Sequence, residues 1–210
     1  MFFASSISVG AADEEFNLEF RVENYNPHVN GEDSFNKNRV SGSWVQQDKG
    51  VGFALEDIAE IDWRRVEGFG FLKIDGAKFS LGCRNDRYGH SEAEYVFPGI
   101  GFRRELYGFY CSLAFTNYFS LDSNGESFFD TFAVISRSIT PKFSLSGVLV
   151  EDHYWNDDLE MSEWFLAGAI ARYQYNDHFA FRLRLARSWS FYGRNSEFCD
   201  QIRFSTEFHY

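Results

Sequence analysis

Ionisable side chains recur at every second position near the end of this sequence. Arg182 and Arg184 are spaced this way, as are Arg203, Glu207 and His209 with Ser205 between, and Arg172 precedes them. On an extended chain, alternate residues share a face, so the spacing gathers guanidinium, carboxylate and imidazole groups on one side of successive strands. Glu15, Glu19, Arg21 and Glu23 repeat the pattern near the start, and Glu67 and Arg84 are brought together by a turn between them. Burying an arginine costs several kcal/mol unless it is paired or hydrated. Such a face therefore either borders water, where its fixed charges orient a polar solute, or carries a lattice of salt bridges. Both readings fit the residues.

Catalysis would need more. A hydrolase requires a nucleophile with a base, or a carboxylate–metal pair. His90 and Ser91 are adjacent, so on a strand they would point to opposite faces, and Asp152-His153 has no evident serine partner. There is no phosphate-binding glycine loop, no HExxH and no Cys/His cluster. Cys83, Cys111 and Cys199 lack metal-ligand spacing and read as small hydrophobes. No catalytic residue and no cofactor is assigned. The densest acidic group, Asp157, Asp158, Glu160 and Glu163, offers the oxygen ligands that hard cations take, so weak Ca²⁺ or Mg²⁺ binding is one expectation there and a merely solvated acidic face the other.

The elements that position these residues follow from the complementary parity. Ile202, Phe204, Thr206, Phe208 and Tyr210 alternate with Arg203, Ser205, Glu207 and His209; Phe16, Leu18, Phe20 and Val22 alternate with the charged residues of the first segment. Aromatics make up 20% of the chain, with 25 Phe and 11 Tyr, yet mean hydropathy is −0.36. Apolar and polar residues must therefore interleave. No run of about 18 apolar residues exists to form a membrane helix, whereas a membrane strand needs only about 9–11 residues with half of them apolar. The formal net charge of −11 argues against nucleic acid as a partner.

Taken in order, the alternation predicts twelve strands, or ten if the weak region 39–62 carries fewer. A hairpin is centred on Asp75-Gly76, a pair with strong turn preference. Its register sets Leu72 beside Phe79, Lys73 beside Lys78 and Glu67 beside Arg84. Short turns are expected at 47–50, 75–76, 103–105, 139–142 and 176–178. Long, acid-rich loops are expected at 24–38, 56–62, 85–92, 117–126, 151–163 and 192–200, with a helical turn near 55–61. Trp63, Trp155, Trp164 and Trp189 border the long loops, where an interfacial ring is favoured. Short turns on one end, long loops on the other and an even strand count describe an antiparallel up-and-down transmembrane β-barrel. Every backbone group is then paired, as hydrocarbon requires. Residues 1–12, ending in small residues before Asp13, read as the remnant of a signal peptide, and 13–210 as a single barrel domain.

A final strand of alternating apolar residues ending on an aromatic, here Phe204, Phe208 and Tyr210, resembles the closing strand and assembly signal of bacterial outer-membrane β-barrel proteins. The resemblance implies integral residence in that membrane with both termini periplasmic. It implies contact with outer-membrane lipid and lipopolysaccharide, and delivery by the outer-membrane assembly machinery. Barrels of about twelve strands include porin-like channels for nucleosides or acidic oligosaccharides, phospholipases and lipid A deacylases. The expected function is a channel for a small polar or charged solute, its lumen lined by Arg172, Arg182, Arg184 and Arg203 on a basic wall and by Glu19, Arg21, Glu67, Arg84 and Glu207. A lipid-modifying enzyme, or a structural barrel acting through its loops, is the alternative.

Overall fold

A computed structural model of the protein describes residues 14–27, 34–122, 126–155, 163–192 and 195–210. The 1–12 segment lies outside them. Twelve antiparallel strands close into one barrel, each pairing with its sequence neighbours and β1 with β12. They are β1 (Glu14–Pro27), β2 (Phe35–Gln46), β3 (Lys49–Ile58), β4 (Trp63–Ile74), β5 (Ala77–Tyr88), β6 (Ser91–Leu106), β7 (Phe109–Ser120), β8 (Ser127–Thr140), β9 (Phe143–Trp155), β10 (Glu163–Gln174), β11 (Phe179–Tyr192) and β12 (Asn195–His209). The alternation read from the sequence is the alternation of the wall. Phe20 and Phe204 are 52% and 51% exposed on the outside, whereas their neighbours Arg21 and Arg203 are 2% and 6% exposed within.

The Asp75-Gly76 hairpin has the expected register, with Glu67 opposite Arg84, Lys73 opposite Lys78 and Leu72 opposite Phe79. Asp75 and Gly76 take φ of 48° and 82°, the left-handed pair that a tight hairpin needs. Other boundaries differ. The residues 103–105, expected to turn, are on β6, where Arg103 pairs Ser112 and Arg104 pairs Cys111. The turn is instead Tyr107-Gly108, with φ of 52° and 75°. The turn expected at 47–50 is Gln47-Asp48 alone, because Lys49 and Gly50 already pair Gln46 and Val45.

The expected long loops are mostly strand. β3 runs to Ile58 before a 3-10 turn at Ala59–Ile61 replaces the broader helical turn. Residues 85–92 are continuous ladder except at Gly89-His90, and Asp152-His153 pairs β8 and β10. The wall thus extends past the zone where outward residues are apolar. Above that zone the outward side chains become polar, so the period-two hydrophobic signal vanishes although the backbone pairing continues.

Candidate functional site: the barrel interior

Ion pairs cross the interior as one connected lattice. At the β11–β12–β1 junction, Glu23 is fully buried and takes Arg203 (Nη2 to Oε2, 2.8 Å) and Arg184 together. Arg184 Nη2 also donates to Gln201 Oε1 at 2.9 Å, and Gln201 Nε2 to Ser188 Oγ at 2.9 Å. Lys37 Nζ lies 4.0 Å from Glu23 and 3.8 Å from Glu56. Glu56 in turn accepts Arg39 and, at 3.4 Å, Arg65 Nη1. Arg65 Nε donates to Asp86 Oδ1 at 2.8 Å, and Asp86 also holds Arg84. The Arg84 guanidinium lies 5.2, 5.0 and 5.1 Å from the ring centres of Tyr95, Tyr118 and Phe128. A cation over several aromatic faces is held by their quadrupoles. Paired in this way, the charges offset part of the desolvation penalty that an isolated buried ion would carry in full.

A second group lies nearer the end that carries the short turns. Glu207 accepts Arg172 Nε at 2.8 Å and is also paired with Arg182, which stands directly across the β10–β11 ladder from Arg172. His209 Nε2 is 3.4 Å from Arg172 Nη2, and its Nδ1 meets Asn17 Oδ1. Glu19 pairs Arg21 at 3.5 Å.

The remaining wall carries two apolar clusters among Thr116, Asp130, Asp152 and the serines of β7 to β9. Ala114, Phe132, Val148 and Leu166, from β7 to β10, form one buried cluster, and Phe97, Tyr118 and Phe128 another. Tyr118 stacks on Phe128 with ring centres 4.4 Å apart. On β4, Phe69 and Phe71 lie across the ladder from Gly52 and Gly50. A Cβ on Gly52 would stand 2.5 Å from Phe69 Cζ, and on Gly50 2.6 Å from Phe71 Cζ. The absent side chains let both rings lie flat against the wall, with the Lys78 ammonium over the Phe71 ring at 3.8 Å from its centre and an open space beyond.

That space is a cavity of about 740 Å³ that extends from the short turns to Arg39, Arg184 and Arg203. Its cationic lining residues are Arg39, Lys73, Lys78, Arg103, Arg172, Arg182, Arg184 and Arg203, against the carboxylates of Glu15, Glu19, Asp48, Asp75 and Glu207. The lining is therefore net positive in a chain of net charge −11. An open, charged space and a salt-bridge filling occupy different heights of the same barrel.

The structure places Arg172, Arg182, Arg184, Arg203, Glu207, Glu19, Arg21, Glu67 and Arg84 all on the inner face. There Glu207 sits between Arg172 and Arg182, and Glu19 beside Arg21. Glu67 is opposite Arg84 in register, but Arg84 turns to Asp86, and Glu67 Oε1 is buried without a hydrogen-bond partner. Sequence reasoning missed Arg39, Arg65 and Asp86 as interior residues and put Glu56 in an external loop. Their shared parity with Arg84 and Glu67 was the available signal.

Two of the tryptophans also face inward. Trp164 packs on the Leu166 cluster, and Trp63 lies under Arg65, 4.8 Å from its ring centre. Trp189, against Phe165 at 5.6 Å, keeps the outward parity of Leu185. Phe204 is on the outer face, Phe208 meets Phe179 edge-on at 5.1 Å, and Tyr210 pairs its backbone with Phe16. His90 falls in a turn and Ser91 begins β6, while His153 Nε2 meets Glu151 Oε1 at 3.0 Å. Of the acidic group, Asp157, Asp158 and Glu160 lie outside the described residues and Glu163 opens β10. No cluster of metal-binding groups occurs among the described residues.

No family model matches the sequence, and no curated protein matches it. Solved structures do. An outer membrane channel from Pseudomonas putida F1 superposes with a TM-score of 0.64 at 8% identity, over 100% of both chains. The NanC porin superposes with a TM-score of 0.61 at 10% identity, over 90% of this chain and 98% of that one. The KdgM porin in complex with disordered oligogalacturonate gives 0.56 at 9% identity, over 91% and 98%. At such identities the likeness is one of fold, and the fold of this chain is the closed β-barrel seen in outer-membrane porins.

Proposed function

We propose that the protein is an integral barrel of the bacterial outer membrane that passes small polar or charged solutes through its lumen. The observation that carries this reading is a charge-lined cavity inside a closed wall whose outer face is apolar. Leu81, Val22, Phe204 and Leu185 point outward without a covering layer. In water such a belt would associate; in hydrocarbon it is solvated, and the closed ladder pairs the backbone around the wall apart from irregularities at Phe97-Pro98 and Ile139. By the organisation of such barrels, the short turns and both termini face the periplasm and the longer connections face outward, beside lipopolysaccharide. Phe204, Phe208 and Tyr210 are then the residues that the assembly machinery reads. Deletion of Tyr210 is expected to lower the amount of folded protein in the membrane, measured by the gel mobility of unheated samples; normal insertion would remove that role.

The decisive experiment is electrical. Refolded protein added to a planar bilayer is expected to give stepwise ion currents. A folded barrel that inserts and carries no current would overturn the channel reading and leave a barrel acting through its surface.

A further inference from the structure

The cavity has two unlike sides. On one, Arg172 and Arg182 face each other directly across the ladder and share Glu207, beside which Glu19 is itself paired with Arg21, so three guanidiniums meet two carboxylates and positive charge is in excess there. On the other, the lining over β8 to β10 is Phe132, Val134, Val148 and Ile170, with Ser136, Ser144 and Ser146 nearer the short turns, Ser144 directly across from Arg172. In the ring of strands β4 lies across the lumen from β10, and there the Lys78 ammonium stands over the Phe71 ring, 3.8 Å from its centre, and adds to the positive charge. A solute whose whole surface is polar must give up water against Phe132, Val134, Val148 and Ile170 without return. A solute with one anionic head and an apolar body finds a partner for each part. The volume, about 740 Å³, is that of a small-molecule pocket.

We infer that this cavity binds organic monocarboxylates with an aromatic or aliphatic body. The carboxylate sits on Arg172 and Arg182, and the body lies against Phe132, Val148 and Ile170. The inference names the solute class of the proposed channel and rests on that reading for its physiological meaning, though binding itself does not require conduction.

The probes are benzoate, gluconate and benzyl alcohol, which separate charge from apolar surface. Equilibrium dialysis against the refolded protein in detergent, corrected with empty micelles, should show benzoate bound at least about tenfold more tightly than gluconate, the worth of roughly 1.4 kcal/mol of ring burial. Benzyl alcohol should not exceed the empty-micelle level. Ile170→Ser should cut benzoate binding and narrow its advantage over gluconate, and Arg182→Gln should weaken both anions. Gluconate binding as tightly as benzoate, or benzoate retained no better than by empty micelles, overturns the inference. Should a variant fail to refold, the comparison of the three probes on the unaltered protein still decides. Potassium chloride currents measured in parallel keep the two readings apart. Current without benzoate preference rejects this inference alone, and benzoate binding without current rejects the channel.

Discussion

The interior wall is held in two ways. From β11 through β12 and β1 to β3 it is a lattice of shared carboxylates, with Glu23 between Arg184 and Arg203 and Glu56 between Arg39 and Arg65. From β6 to β10 it is packed rings and aliphatic side chains. Charge pairing fails abruptly, because removing one member strands the others in a site they cannot leave. Packing fails gradually, in proportion to volume lost. The barrel therefore has one side that is electrically specified and brittle and one that is sterically specified and forgiving.

The largest effect expected from this contrast is at Glu23. Glu23→Ala leaves Arg184 and Arg203 opposed across the ladder without their common carboxylate. Breaking a buried pair in this way costs about 3–5 kcal/mol, measurable as a lowered urea midpoint for unfolding from lipid or detergent. A cost below about 1 kcal/mol would mean that water already screens the site and that the two walls are not different in kind. On the packed side, Phe132→Leu keeps most of the volume and should cost less than about 1.5 kcal/mol in the same assay; a loss equal to that of Glu23→Ala would erase the distinction. The smallest effect is functional. Replacing Arg182 and Arg184 together by glutamine should move the reversal potential toward cation selectivity, by less at 1 M salt than at 0.1 M, because the screening length falls from about 10 Å to about 3 Å. Unchanged selectivity at low salt would make these arginines structural only.

The same contrast explains what could be read from the sequence. On the charged arc, inward residues are ionic and outward ones apolar, so Arg182, Arg184, Arg203 and Glu207 were assigned to the interior by parity alone. At Asp75-Gly76 the turn chemistry fixed the register of β4 and β5 residue by residue. Over β7 to β10 the inner face mixes apolar residues with Ser, Thr and Asp while the outer face stays apolar, and Leu166 or Phe132 cannot be told from its outward neighbours by alternation. Glu56, Arg65 and Asp86 escaped for the opposite reason. They lie where both faces of the wall are polar, and such a strand reads as a loop. The misplaced turn at 103–105 has a third cause. Three charged residues in a row suggest solvent, but Gly108 supplies the positive φ, and Arg103 is drawn in to line the cavity.

The closing junction has a consequence for how the barrel comes into being. Eleven of the strand pairings join segments adjacent along the chain and can form as hairpins in microseconds. The twelfth joins Phe16 to Tyr210 and Glu23 to Arg203, partners separated by 180 positions or more. Equilibrium barely notices such a separation, since each doubling of a loop adds only about 0.6 kcal/mol. The search is another matter: non-local pairing is what slows folding. Until it succeeds, β1 and β12 each present a raw edge, and Glu23 waits on one side of the gap while both of its arginines wait on the other. The half-assembled sheet is therefore a species with a lifetime of its own, open to pairing with the edge of a second chain, and the arrival of Arg184 and Arg203 at Glu23 is the event that ends it.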